Sequence, residues 1–117
     1  MNKRLPLLIV LAAAGVAQVA YAAGDPAAGQ AIAEQTCKTC HGVDGNSTDP
    51  QFPRLAGQHP DYIIRALDDY KSGARKNAIM SGFAASLSKQ DEENVAAWFS
   101  SQNGGLATPV LTNRVEQ

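Results

Sequence analysis

Apolar positions along the chain recur at three- and four-residue spacing, and no stretch alternates apolar with polar residues well enough to predict a strand. Three main helices are predicted. The first opens at Asp25, a good N-cap acceptor, with Pro26 at the first helical position, and runs to about Thr36 with Gly29, Ile32 and Ala33 on one side. The second follows His59-Pro60 and reaches about Ser72, its apolar stripe being Ile63, Leu67 and Tyr70 and its stop Gly73. The third starts after Ser88, where Asp91, Glu92 and Glu93 favour the positive end of the helix dipole. Val95, Trp98 and Phe99 form its stripe, and Asn103-Gly104-Gly105 ends it.

Two long connections separate these helices, Gly42 to Gln58 and Ala74 to Leu87, and both are predicted to be helix-free. Connections of that length in a small domain are normally functional or disordered. Ahead of the first helix, Lys3 and Arg4 precede an apolar run from Leu5 to Ala20, and Ala20-Tyr21-Ala22 has a small-x-small cleavage pattern. Residues 1–22 therefore read as a signal peptide, residues 23–105 as the folded domain and residues 106–117 as a loose tail without periodicity. The alternative, an uncleaved membrane anchor, is disfavoured because the Ala-rich run is shorter than the roughly 20 residues a spanning helix needs.

Charge narrows the class further. Ten Lys and Arg face eleven Asp and Glu, and removal of Lys3 and Arg4 with the leader leaves eight against eleven, a formal charge of −3. A nucleic-acid binder would show a basic excess, so that class is excluded. Lys71, Arg75 and Lys76 cluster, but Asp68 and Asp69 offset them, and a solvated face is the plain reading. So small a domain benefits from a staple. Cys37 and Cys40 are too close for a disulfide between them to stabilise much.

Those cysteines belong to Cys37-Lys38-Thr39-Cys40-His41, a C-x-x-C-H run. Residues three apart on a helical turn project to one side, so both thiols can form thioethers with the two vinyl groups of one haem while His41 lies under the iron. Structural zinc wants four Cys/His ligands, and only His59 and carboxylates are available beyond the pentapeptide. A thioredoxin-like pair would follow a strand in a βαβ pattern, and none is predicted. For the second axial position, Met80 is the one thioether left once Met1 leaves with the leader, and His59 is the rival.

With Cys37 to His41, Pro53-Arg54-Leu55-Ala56-Gly57 and Met80 ahead of an amphipathic C-terminal helix, the sequence resembles class I cytochromes c. It is particularly similar to small single-haem members and to each half of the tandem two-haem proteins, which share stretches like Leu55 to His59 and Lys71 to Asn77. A single C-x-x-C-H departs from the two-haem pattern and implies one haem c. The resemblance implies an all-α fold of three main helices and loops wrapped around that covalent haem. It also implies that the Pro53 carbonyl accepts from the axial histidine, that Leu55 packs on the haem face, and that Gly29 lets the first and last helices cross near Trp98 or Phe99. Trp98 itself is expected in the core. His41 and Met80 on the iron would leave no open coordination position, so the expected activity is not catalysis but one-electron transfer in the periplasm between transient protein partners. The alternatives are a haem subunit of a larger oxidoreductase, or a ligand-sensing haem protein if Met80 leaves the iron readily.

Overall fold

The computed structural model describes residues 24–105, so the predicted leader, Met1 and the tail lie outside the described residues. The described residues contain helices and no strand: α1 (Pro26–Ile32), a π-helical turn (Ala33–Cys37), α2 (Lys38–His41), α3 (Pro60–Ser72), α4 (Ala78–Ala85) and α5 (Lys89–Ser100). The three predicted helix starts are found where local chemistry placed them. Asp25 accepts from the Ala27 amide at 2.9 Å, with Pro26 behind it at a position whose missing N–H costs nothing. α3 begins at Pro60 and stops at Gly73, whose φ of 78° is a left-handed cap.

Ser88 and Asp91 form a reciprocal capping box on α5: the Asp91 amide donates to Ser88 Oγ at 3.1 Å, and the Ser88 amide donates to Asp91 Oδ2 at 2.9 Å. The Ser88 hydroxyl and amide hold the Asp91 carboxyl below the usual carboxylate range. A depressed carboxylate contributes stability above its unfolded pKa and loses that contribution as pH falls through the folded one. Asp91→Asn is therefore expected to melt below the unaltered protein at neutral pH, with the gap closing on acidification. Melting temperatures across a pH series would check this.

Two predictions need correction. The first helix does not end at about Thr36 but continues through the π turn into α2, so that Cys37, Cys40 and His41 are helical. A π turn holds one residue more than an α turn, is rare, and often marks a functional site. The second connection is not helix-free. Asn77 caps α4 by accepting from Ile79 and Met80 amides at 3.1 and 3.0 Å, and Met80 stands in its first turn. The helix was hidden because Ala78–Ala85 is apolar or small almost throughout, leaving no polar face for periodicity to reveal.

α1 packs across α5, and α3 packs against both α4 and α5. Ala33, Ile63, Leu67, Ala84, Val95, Ala96 and Phe99 form the buried core. The α1–α5 crossing is close because Gly29 has no side chain: a Cβ there would run into the Asn94 carbonyl and lie 2.9 Å from Trp98 Cβ. Trp98 is half-buried rather than in the core, since its indole N–H reaches the Val43 carbonyl at 2.7 Å; Phe99, 1% exposed, takes the interior place. The long loop after α2 is folded back by its own backbone, with the Gly45 carbonyl accepting from the Leu55 and Ala56 amides at 2.8 and 3.2 Å and the Gly57 amide donating to Phe99 at 2.9 Å.

Candidate haem site

The π turn and α2 bring Cys37, Cys40 and His41 to one wall of a cavity of about 410 Å³. Both cysteines are free thiols and half-buried. Burial pushes the Cys37 thiol up to about 11, so it is held as a neutral thiol at physiological pH and lacks the lowered pKa of a disulfide-exchange nucleophile. His41 is 7% exposed.

Its Nδ1 lies 2.8 Å from the Pro53 carbonyl. A carbonyl only accepts, so Nδ1 carries the proton and the Nε2 lone pair is left for a metal. Phe52 meets the imidazole edge-on at 6.4 Å and limits its rotation. The Gly42–Gln58 loop thus orients a ring presented by α2.

The remaining wall is mainly apolar. Leu55, Ile63, Leu67, Leu87, Val95 and Phe99 line it, together with Met80 from α4. Room, apolar character, two thiols and an oriented imidazole on one wall suit a flat apolar macrocycle with a metal at its centre. Met80 is partly buried against the core and lines the same cavity, whereas His59 is exposed at the N-cap of α3 and is not among the lining residues. Of the predicted site residues, Cys37, Cys40, His41, Pro53, Leu55 and Met80 all come together here.

Sequence reasoning missed a second group on the cavity wall. Ile79 and Phe83 of α4 are largely exposed, and the Arg75 guanidinium lies 4.8 Å from the centre of the Tyr70 ring. Tyr62 and Tyr70 hold Arg75 above its ordinary pKa, so it is a permanent cation. Tyr70 and Arg75 were visible in the sequence, one as a stripe residue and one as a surface charge, but nothing local paired them.

A family model described as Cytochrome c matches residues 26–103. Cytochrome c4 of Pseudomonas aeruginosa is 45% identical over 118 residues, covering 99% of this chain and 57% of that protein. Cytochrome c-554(548) of Halomonas halodenitrificans is 41% identical over 83 residues, 68% of this chain and 99% of its own length. The crystal structure of reduced recombinant cytochrome c4 from Pseudomonas stutzeri superposes with a TM-score of 0.66 at 46% identity, covering 72% of this chain and 48% of that one. The chain thus spans little more than half the length of the cytochrome c4 relative. The helical architecture is the class I cytochrome c fold. A motif with both thiols and its imidazole facing one apolar cavity, within a matching domain of this extent, places the chain in the cytochrome c family, with covalent haem c as its cofactor.

Proposed function

We propose that this chain is an exported, periplasmic electron-transfer protein carrying one haem, in which Cys37 and Cys40 form the thioethers and His41 and Met80 are the axial iron ligands. The observation that carries this is the convergence of His41 and Met80 on a single apolar cavity. The bound haem supplies one reversible ferric–ferrous step. His41 would hold the iron through Nε2, from a ring fixed by the Pro53 carbonyl, a contact that raises its basicity. Met80 offers a soft sulfur that serves both oxidation states and fills the position a substrate would need. Leu55, Leu87 and Phe99 line the cavity and would keep water from the porphyrin, so that little solvent would reorganise when charge changes. Partners are proteins met transiently over a small surface. Among the described residues no helix is long and apolar enough to cross a membrane. Residues 1–22 would serve as the cleaved leader, and residues 106–117 as a tail.

Holoprotein made in a haem-attaching host is expected to be six-coordinate and low-spin in both oxidation states, with the near-red absorption of a sulfur–iron bond when ferric. Met80→Ala should keep the haem mass, lose that absorption, and bind carbon monoxide rapidly when reduced. Rapid carbon monoxide binding by the unaltered protein at neutral pH would favour ligand sensing instead.

A further inference from the structure

Glu92 is the one fully buried carboxylate among the described residues, and the haem site as described gives it no role. It projects inward from α5, and neither oxygen receives a hydrogen bond of good geometry. Compensation is ionic: Lys71 of α3 contacts Oε1 at 2.5 Å, and Lys89 lies 3.2 Å from Oε2. A carboxylate removed from water is tolerated only with such opposite charge beside it. Lys89 also pairs with Asp68 at 2.7 Å and is more than half exposed, so it is a shared, screened partner.

Lys71 is the informative one. The same ammonium donates to the Leu87 carbonyl at 2.6 Å. Leu87 lies in the short link from α4 to α5, and its side chain lines the haem cavity. Three elements therefore meet at one ammonium: α3, which bears it; α5, whose buried Glu92 holds it; and the exit of α4, whose backbone it ties down. α4 carries Met80, and its entrance is held separately by Asn77.

We propose that Glu92, acting through Lys71, is a positioning residue that keeps α4 seated so that the Met80 sulfur stays on the iron. This rests on Met80 being the ligand, as proposed above. Without the negative charge nothing holds the Lys71 side chain, already 29% exposed, against α5; its ammonium turns fully to solvent, and the Leu87 carbonyl loses its donor. α4 then departs more often, and an external ligand captures the vacated iron in proportion to the fraction of open molecules.

The test is imidazole capture by ferric holoprotein, followed beside the sulfur–iron absorption and the melting temperature, for Glu92→Gln and for Asn94→Ala. Asn94 lies on the same helix, but its Oδ1 accepts from the Asp25 amide at 2.8 Å, so its loss weakens the α1 crossing and leaves the α4 link alone. Glu92→Gln is expected to capture imidazole about tenfold faster with a weakened sulfur–iron absorption, and Asn94→Ala to melt lower at an unchanged capture rate. Unchanged capture in Glu92→Gln overturns the proposal, as does equal acceleration in an Asn94→Ala protein destabilised to the same degree. Should Glu92→Gln yield no holoprotein, Lys71→Met serves: it keeps the apolar stem, leaves Lys89 against Glu92 and removes the donor to Leu87, and capture no faster than in the unaltered protein overturns the proposal. Absence of the sulfur–iron absorption in the unaltered protein sinks the Met80 assignment and this proposal together. Its presence with unaffected variants sinks this proposal alone.

Discussion

His41→Ala is expected to abolish stable holoprotein, with the coloured fraction of the chain made in a haem-attaching host falling by well over tenfold. One substitution removes the proposed iron ligand and, with it, the imidazole that ties α2 to the Pro53 carbonyl across the long loop. What is then left is a small domain around a cavity of about 410 Å³. At roughly 24 cal/mol per Å³, an unfilled apolar void of that size costs on the order of 10 kcal/mol, an upper bound because water enters its open side. Domains are stable by only about 5–15 kcal/mol in total. The chain without haem is therefore expected to lack this tertiary structure. Visible spectra and intact mass report attachment in the variant, and circular dichroism of haem-free chain reports the fold. Cooperative melting of a native-like helical apoprotein would contradict the cavity estimate.

Gly29→Ala is expected to be strongly destabilising for the sake of a single methyl. The added carbon would occupy space held by the Asn94 carbonyl, and backbone does not rotate aside as a side chain does. Neither helix is free to slide, because the Asp25 amide is bonded to Asn94 Oδ1 and the Trp98 indole to Val43. Overpacking of this kind costs about 1–3 kcal/mol, occasionally more. For a domain of this size each kcal/mol lowers the melting temperature by roughly 4–8 °C. A fall of about 10 °C or more is anticipated. Gly82→Ala makes the matching comparison, since its Cβ would meet nothing within 4 Å and it sits inside α4. There the lost backbone freedom of glycine in the unfolded chain gives about 0.5–1 kcal/mol in favour of alanine. The same chemical change should thus carry opposite signs at two positions. A melting temperature for Gly29→Ala within a degree or two of the unaltered protein would show that the crossing can open.

Each of these expectations combines something local with something distant. The pentapeptide Cys37 to His41 is legible because attachment and ligation need only neighbours, and five adjacent residues carry their own geometry. The beginnings of α1, α3 and α5 are legible for the same reason: an N-cap oxygen, a proline or a capping box acts within one turn. α4 was not legible, although its cap is just as local, because a short helix with apolar or small residues all round has no contrasting face. Its amphipathic partner is the haem cavity, which the sequence does not display.

By itself, then, the sequence determined the haem-attachment turn, the helix starts, the all-α class and the kinship with cytochromes c, all set by contacts between residues a few positions apart. Only the tertiary structure decided that Met80 rides on a helix, that Trp98 turns outward to Val43 while Phe99 goes in, and that Glu92 is buried whereas Asp91 and Glu93 beside it are not. Three acidic neighbours look alike along a chain. Which of them loses its water depends on where α3 lies against α5, and that placement is a property of the packed molecule.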